Sequence, residues 1–505
     1  MKQSTSLLIL LLLSISLSAQ SQTERVNADI TLFSTLGASK DQSFWLTHNR
    51  YGIFDDKSAN ALALISGRLN MRQEKLFDIG GGVSLLGRAS QSSTAYFHQA
   101  YIEAKVGFFN VEAGRKETIY GIPLGELSSG SVGISPNVMP VPRVTAIMPD
   151  FFPVPFTFGW LEIKGHFSHG WLNDERYAVN SFLHDKSAHV QTGGNTGLKI
   201  YWGIVHSAIW GGESPDHGKL PSSFSDFLRV VIAKEGASGS PSNEINALGF
   251  HTGLWDWGIK VDIGRIKVHA YYQHIFTDGS GMRYRNKLDG LWGIRVQDPF
   301  PAKWVNQLTY EVLYTKNQSG MGVSDKGYGD ISPYCDVPNC GFSYGGRDNY
   351  YNNSIYRSGY SYYGMSMGNP FFLTNNTLRK FHPDAKTFDT RFFISTRNIA
   401  HHLGIGGEIK ENLSYRFLGS FVKYYGSYAG LNLGETWGFF NPDKDPEEYF
   451  FNPAIKQWYF MLETQWQVKK VDRLRLTTTF ATDFGDMFNS TGFMLGAKWE
   501  FSGKN

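Results

Sequence analysis

The stretch WYFMLETQWQVKKVDRLRLTTTFATDFGDMFNSTGFMLGAKWEF, residues 458–501, decides the fold. Apolar side chains recur at every second position through most of 458–468, 474–480 and 493–501, with polar side chains frequent between them. A period of two, apolar on one face and polar on the other, is typical of strands that separate lipid from a wet lumen. Aromatic residues near the strand ends match the girdles of such strands at membrane interfaces. The stretch therefore predicts consecutive strands of a transmembrane β-barrel.

The same alternation recurs earlier in the chain, at residues 100–106, 266–273 and 308–314. A soluble β-sandwich or propeller also alternates, so one such strand is weak evidence. Strands of soluble proteins average about five or six residues, and these are longer. We therefore favour an all-β, antiparallel outer-membrane barrel over a secreted soluble β protein.

Composition narrows the class of protein further. The 505 residues include 15% aromatic and 18% charged side chains, with a formal net charge of +3. Disordered chains are rich in charge and poor in aromatics, so this composition excludes a disordered protein. Helical bundles favour Ala, Leu, Glu and Lys, so it also makes a helical bundle unlikely. A nucleic-acid binder needs one dominant sign of charge, so we expect no nucleic-acid partner.

The chain begins with an export signal. Leu7–Leu17 is the most apolar run and follows Lys2, a pattern that predicts a cleaved signal peptide over residues 1–20. No later stretch reaches the roughly 18 apolar residues of a spanning helix. We expect residues 21–505 to form a single barrel domain in the outer membrane.

Three stretches depart from the strand pattern. Lys57–Arg72 spaces its apolar side chains at helical intervals, which predicts a short helix, either in a periplasmic helical portion near 38–72 or within the barrel mouth. Prolines crowd 123–155, and Gly, Tyr, Asn and Ser dominate 318–370. Proline removes hydrogen-bond donors from a sheet, and loops this long are usually functional or act as plugs. We expect both stretches to be long loops.

Two cysteines, Cys335 and Cys340, lie in the second of these loops. In an oxidising compartment they are candidates for a small disulfide ring, and two free thiols are the alternative. The pair supplies too few ligands for zinc. We expect no bound metal and no cofactor.

A tyrosine-rich run within the same loop is the strongest candidate binding site. Sugars stack their CH faces on aromatic rings, and their hydroxyls bond to amide, carboxylate and guanidinium groups. The alternative is that these rings belt the membrane interface or fill the lumen. The candidate polysaccharide-binding residues are Asp348, Tyr350, Tyr351, Asn352, Asn353, Tyr356, Arg357, Tyr360, Tyr362 and Tyr363.

Two further patterns carry weaker signals of chemistry. Residues 364–368, GMSMG, match the spacing of a nucleophile elbow, but Asn369-Pro370 opposes the helix that this motif requires. We therefore predict no catalytic residue and no enzyme. A cluster of histidines invites a metal site, but we favour their placement as polar residues facing the lumen. These are His166, His169, His184, His189 and His206.

Several blocks, in this order along the chain, resemble the Wzi-type capsule assembly proteins of the outer membrane. No block is decisive alone, but their joint order is specific and covers most of the chain that follows the signal. The blocks are FWLTHNRYG (44–52), SPNVMPVPRV (135–144), SHGWL (168–172), LHDK (183–186), GIVHSAIWGG (203–212), PSSFSDFLRV (221–230), DGLWGI (289–294), QSG (318–320) and NYYNNSIYRSGYSYYGMSMGNPF (349–371).

The resemblance implies a barrel of 18 strands, partly occluded by periplasmic helices and inward-folded loops. It also implies a monomeric, non-catalytic surface lectin whose partners are capsular polysaccharide and outer-membrane lipid. The family supplies no transferable ligand motif, so no sugar-binding residue is carried over. One departure is that Phe501 is followed by four further residues, whereas many barrels end on the aromatic. A porin for solutes or oligosaccharides is the alternative function, and a glycan-modifying enzyme is a third hypothesis.

Overall fold

Antiparallel strands form a closed barrel in a computed structural model of the chain. The structure describes residues 25–72, 74–91, 93–237, 247–300, 304–319, 348–389, 391–431, 445–471 and 473–502. Within these ranges 18 strands make up the wall, as expected. They are β1 (Val26–Asp41), β2 (Lys57–Leu69), β3 (Phe77–Ala89), β4 (Thr94–Val106), β5 (Phe109–Arg115), β6 (Arg143–Ile147), β7 (Leu161–Trp171), β8 (Phe182–Thr192), β9 (Leu198–Trp210), β10 (Phe250–Ile263), β11 (Ile266–Phe276), β12 (Gly290–Gln297), β13 (Gln307–Tyr314), β14 (Asn398–Lys410), β15 (Leu413–Tyr424), β16 (Ile455–Gln467), β17 (Leu474–Gly485) and β18 (Ser490–Ser502).

Closure of the barrel depends on pairing between its first and last strands. Asn27 on β1 lies opposite Ser502 on β18, and the pairing continues to Gly37 and Gly492. The β6 strand is interrupted, since Phe152–Pro153 forms a second short piece that also pairs with β7. Pairing of the two terminal strands leaves the sheet without a free edge, as a membrane-spanning sheet requires.

The two faces of the wall reverse the usual distribution of polar and apolar groups. On the outer face Leu32, Ile102 and Leu495 are 52%, 69% and 52% exposed. On the inner face the polar side chains of Thr35 and Glu463 are buried. An apolar exterior around a polar interior is the pattern of a barrel in a lipid bilayer.

The connections at the two ends of the barrel differ in length. At one end they are as short as residues 107–108, 264–265 and 411–412. At the other end, much longer sequences separate consecutive strands, such as those between Trp210 and Phe250 and between Tyr314 and Asn398. Outer-membrane barrels place their short turns in the periplasm and their long loops outside. The long-loop end is therefore the extracellular mouth.

The helices within the described ranges are short and belong to the long connections. They are α1 (Phe44–Thr47), α2 (Phe224–Val231), α3 (Gly279–Met282), α4 (Asn375–Phe381) and α5 (Tyr428–Leu431), with a 3₁₀ turn at Pro446–Glu448. No helix among the described residues is long and apolar enough to cross a membrane.

The helix predicted over Lys57–Arg72 is wrong, because Lys57–Leu69 forms β2. Its apolar residues mix two faces: Leu62 is buried inside the barrel, whereas Ile65 is 45% exposed on the outer wall. Leu62 and Leu64 lie on the inner face between the polar residues Asn60 and Ser66, which hid the period of two. The nearby helix is instead α1, which follows β1 at the extracellular end, so the predicted periplasmic placement of helix near 38–72 is also wrong.

Three segments fold into the lumen and are called the plug here: residues 42–54, residues 116–142, and the described residues of 348–397, which are 348–389 and 391–397. Trp45, from the first segment, and Tyr351, from the third, are both fully buried. The Tyr351 hydroxyl donates to the Val132 carbonyl at 2.6 Å, which joins the second segment to the third. The loops expected near 123–155 and 318–370 both overlap these segments. In the first of them only residues 123–142 lie in the plug, because Arg143–Ile147 and Phe152–Pro153 are strands of the wall. Cys335 and Cys340 lie outside the described residues.

Carboxylates of the wall anchor the plug. Glu311 on β13 accepts hydrogen bonds from the Ser128 hydroxyl at 2.6 Å and the Ser129 amide at 2.7 Å. Glu463 on β16 accepts from Arg50 at 2.9 Å and from Arg416 on β15 at 2.8 Å. Buried polar groups are costly unless they are paired, so these bonds hold the plug to particular strands.

The α2 helix lies outside the barrel, against the wall formed by β7 to β9. The ring of Phe227 on this helix lies 5.7 Å from the Trp210 ring on β9. Val230, also on the helix, is fully buried. A capping box between Ser223 and Asp226 begins the helix, and Lys186 on β8 donates to the Val231 carbonyl at its end. On the far side of the helix, the exposed apolar residues are Phe224, Leu228 and Ile232, at 75%, 50% and 69% exposure.

Candidate functional site: the extracellular mouth

A small hairpin of the plug rises to the mouth of the barrel. Its strands are Ser361–Tyr362 and Met365–Ser366, and its tip is Tyr363-Gly364. Both tip residues have positive φ, at 48° and 77°, as in a type I′ turn. Tyrosine is a costly choice at such a position, where Asn, Asp and Gly are preferred. The turn holds the Tyr363 ring 51% exposed at the outer surface.

A buried ion pair holds this hairpin in place. The Tyr363 amide donates to Asp174 at 3.0 Å, and Asp174 also accepts from Arg176 at 3.2 Å. Arg176 donates in turn to the Ser361 carbonyl at 3.3 Å. Burial lowers the pKa of the Arg176 guanidinium, and the attraction of Asp174 opposes that shift. The hairpin tip is therefore fixed by the connection between β7 and β8.

Tyr362 supports the exposed tip from below. Its ring contacts the Tyr363 ring edge to face, with centroids 4.8 Å apart and planes at 72°. Its hydroxyl donates to Asn173, and Arg115 donates to the same amide oxygen at 3.2 Å. Burial raises the pKa of the Tyr362 hydroxyl, which therefore remains a neutral donor.

Five residues around this tip form a surface called the mouth patch here. Tyr96 on β4 is half-buried and lies opposite Leu86 on β3, two residues before Arg88, whose guanidinium pairs with Asp55 at 3.3 Å. The patch combines two aromatic rings, two guanidinium groups and one amide, which suits stacking on a sugar ring with hydrogen bonds to its hydroxyls or carboxylate. The mouth patch consists of Arg88, Tyr96, Arg115, Asn173 and Tyr363.

The structure buries most of the predicted sugar-binding residues inside the plug. The Tyr350 hydroxyl donates to Asp289 at 2.8 Å, and the Tyr360 hydroxyl donates to Ser207 at 2.9 Å. Asp348, Tyr350, Tyr351, Tyr356, Tyr360 and Tyr362 are buried, Asn352 and Asn353 are half-buried, and Arg357 and Tyr363 are exposed. Contact of these residues with polysaccharide stays a prediction, and the exposed pair offers it the most direct access.

Arg357 forms a second exposed contact at the mouth. Its guanidinium lies 4.7 Å from the centre of the Tyr177 ring and pairs with the Asp216 carboxylate. These contacts tie the plug to two neighbouring extracellular connections.

Sequence reasoning missed four members of the mouth patch. Arg88 and Tyr96 come from β3 and β4, Arg115 ends β5, and Asn173 follows β7. Each is an isolated polar or aromatic residue at a strand end, with no motif around it. Closure of the barrel brings these residues together. A comparison of the polar and aromatic residues at the predicted extracellular ends of neighbouring strands could have identified them.

The elbow-like serine belongs to the plug. Ser366 is buried in the second strand of the hairpin, where its hydroxyl accepts from the Gly368 amide at 3.2 Å. A nucleophile elbow needs a strand that leads directly into a helix. Here the next helix, α4, begins at Asn375.

The clustered histidines are divided between the two faces of the wall. The His166 ring lies 4.6 Å from Tyr120 of the plug, whereas the His169 and His184 rings lie 5.3 and 5.6 Å from Phe227 on α2. Lumen placement is therefore correct for His166 and His189 and wrong for His169, His184 and His206. Within the described ranges, no group of three or more His, Cys, Asp or Glu side chains is arranged to hold a metal ion.

A closed barrel with an apolar exterior and a plugged lumen defines an outer-membrane β-barrel protein. Within that class, the model of the capsule assembly protein Wzi family matches residues 26–329. That range is more than half of the chain, and the chain therefore belongs to this family.

Several solved structures are similar to this chain, and one of them shows the same fold. It is the structure of Wzi of Escherichia coli, an outer-membrane protein involved in group 1 capsule assembly and a carbohydrate-binding β-barrel. It is 13% identical with a TM-score of 0.55, covering 97% of this chain and 88% of that chain. OccD3 of Pseudomonas aeruginosa is 9% identical with a TM-score of 0.45, covering 95% and 92%. OccK5 of the same organism is 8% identical with a TM-score of 0.46, covering 96% and 99%. No curated protein sequence gives a significant match.

Proposed function

We propose that this protein is a non-catalytic surface lectin that holds capsular polysaccharide at the cell exterior through the mouth patch. The observation that carries the proposal is the Tyr363 ring, fixed at the tip of a strained turn and exposed beside two arginines and an amide. Residues held in unfavourable backbone conformations cluster at functional sites. Membership of the capsule assembly family supports the same assignment.

A single patch of this size binds one short stretch of sugar weakly. A polysaccharide repeats its unit many times, and linked binding events raise the effective concentration of each following one. Many barrels in one membrane can therefore hold a polymer that each binds only weakly. Arg88 is already paired with Asp55 at 3.3 Å, so Arg115 is the guanidinium that favours an acidic polymer, and neutral sugars can use the same rings and amide.

The plug argues against a solute channel as the main function. Its three segments lie in the lumen and bond to separate strands of the wall: Arg50 to Glu463 on β16, Ser128 to Glu311 on β13, and Tyr360 to Ser207 on β9. A porin keeps a water-filled passage instead.

Deletion of the gene from a capsulated host tests the cellular role. We expect the capsule to be synthesised but released into the medium, because export does not require a surface lectin while retention does. Cell-bound and free polysaccharide are measured after centrifugation. A deletion strain that keeps its full cell-bound capsule would refute the role.

Replacing Tyr363 by asparagine tests the binding site directly. Asparagine tolerates the positive φ of the turn, so the change removes the ring and keeps the hairpin. We expect the affinity for purified capsule to fall by roughly ten-fold, since an aromatic contact is lost at each repeated binding event.

Surface plasmon resonance on immobilised capsule measures this affinity. Tyr363→Phe is the matched variant that keeps the ring. Phe156→Ala is the control at the periplasmic end, where the Phe156 ring is 97% exposed. Equal binding by Tyr363→Asn and the unchanged protein would contradict the assignment.

A further inference from the structure

The α2 helix lies over a part of the outer wall that is poorly suited to lipid. His169 on β7 and His184 on β8 are opposite each other on the outer face, close to the extracellular ends of their strands. Lys186, two residues farther along β8, shares that face because side chains alternate along a strand. Imidazole and ammonium groups are costly on the lipid-facing side of a barrel. These three side chains therefore need a cover at this level of the wall.

The wall side of α2 provides that cover. The Phe227 ring lies 5.3 Å from the His169 ring and 5.6 Å from the His184 ring. Lys186 donates to the Val231 carbonyl at the end of the helix, where the helix dipole favours a cation. Aromatic contacts and a charged hydrogen bond thus hold the helix against these polar groups.

A second apolar surface of the helix has no contact with the wall beneath it. Phe224, Leu228 and Ile232 are spaced four residues apart, so they lie along one side of the helix and are called the outer stripe here. All three side chains are exposed. The polar residues Ser225 and Arg229 follow a different line along the helix. The helix therefore has one side on the wall, one open apolar side and one polar side.

The helix lies at the level of the membrane interface. Trp171 and Trp210 are the last residues of β7 and β9 at the extracellular end, and tryptophans at strand ends mark the membrane–water interface. The helix packs on Trp210 through Phe227. Toward the periplasm on the same two strands, Phe167 and Trp202 are exposed on the outer wall. The outer stripe thus adjoins a wall that faces lipid.

We propose that α2 is an interfacial membrane anchor whose outer stripe inserts among the acyl chains of the outer leaflet. Lipid is the occupant that the surroundings supply, because the stripe continues the lipid-facing surface of the barrel. Helices that lie in the plane of a membrane show the same division into an apolar and a polar face. In this protein the wall takes part of the apolar face, and lipid covers the rest. The helix thereby presents apolar side chains to the bilayer in place of the polar groups beneath it.

Photolabelling of the full-length barrel in phosphatidylcholine vesicles tests this placement. The probe is a phosphatidylcholine that carries a diazirine within its acyl chain, and mass spectrometry of peptides locates the lipid adducts. We expect Leu228 and Ile232 to be labelled about as strongly as Trp202 on the wall. Ser225 on the polar side and Tyr363 at the mouth should be labelled about five-fold less.

A double variant tests whether the outer stripe holds the helix in the lipid. Phe224→Gln with Leu228→Gln should reduce labelling of Ile232 by about five-fold and leave labelling of Trp202 unchanged. Ser225→Gln, which places the same side chain on the polar side of the helix, should change neither. The gel shift of the unheated barrel confirms that each variant is folded.

Two results would overturn the proposal. One is an outer stripe that is labelled no more than Tyr363, and the other is labelling of Ile232 that the double variant leaves unchanged. An unlabelled stripe would face water or be covered by a second copy of the chain. Native mass spectrometry distinguishes these two cases by the mass of the complex.

Discussion

Replacing Glu463 by glutamine should lower the free energy of unfolding by about 3–5 kcal/mol, because two half-buried arginines would lose the buried counterion that they share. Glu463 is 2% exposed and also accepts from Thr479 at 3.1 Å, so it has four partners within the barrel. Arg50 would then draw water into the lumen. We expect the first plug segment to loosen and the variant to pass ion current where the unchanged protein passes little.

Urea unfolding in detergent micelles and conductance across planar bilayers measure these two effects. Glu411→Gln is the matched control, since Glu411 is 81% exposed in a turn and pairs loosely with Lys469. Surface pairs of this kind contribute about 0–1 kcal/mol. If Glu463→Gln were as stable and as closed as this control, the wall carboxylates would not be the anchors of the plug.

Replacing Tyr351 by alanine should cost about 3–5 kcal/mol of stability, because a large buried ring leaves a cavity. The ring lies 4.2 Å from Phe372, and its hydroxyl bonds to both Val132 and the Asn369 amide. Tyr351→Phe keeps the ring and leaves two buried groups unpaired, at a cost of about 1–3 kcal/mol. Thermal unfolding followed by near-ultraviolet circular dichroism measures both variants.

The same comparison separates the buried tyrosines from the exposed one. Tyr363→Asn should change stability by less than about 0.5 kcal/mol, because the ring lies at the surface. Its affinity for capsule should still fall by roughly ten-fold. Tyr351→Ala should lose affinity for capsule only in proportion to the fraction of molecules in which the plug is no longer folded in the lumen. A variant of Tyr351 that is fully stable but binds no capsule would show that this ring reaches the sugar.

The wall of the barrel was predictable because its signal is local. Strands such as Ile455–Gln467 and Leu474–Gly485 contain the period of two in full, and any window of ten residues reveals it. Lys57–Leu69 escaped because Leu62 and Leu64 lie on the inward face, between the polar residues Asn60 and Ser66. These two leucines interrupt the polar face that would mark the lumen, and Leu62, Ile65 and Leu69 then fall at helical spacing by coincidence.

The site was predictable only in part because burial is not a local property. The tyrosine-rich run has the composition of a sugar-binding surface, yet Tyr350 and Tyr360 point into the plug and bond to β-strand and loop residues far away in sequence. Whether a long connection folds inward or outward depends on partners such as Glu311 and Asp289. Nothing in the run itself identifies them.

The α2 helix has a consequence for how the protein occupies a crowded membrane. An α-helix with its side chains is about 10–12 Å across, and this one rides on the flank of the cylinder with Phe224 and Leu228 turned away from it. A neighbouring cylinder cannot abut that flank without displacing the helix. The protein is therefore about 10–12 Å wider on this flank, and a second barrel that approached from this side would meet the apolar residues of the helix before it met the wall.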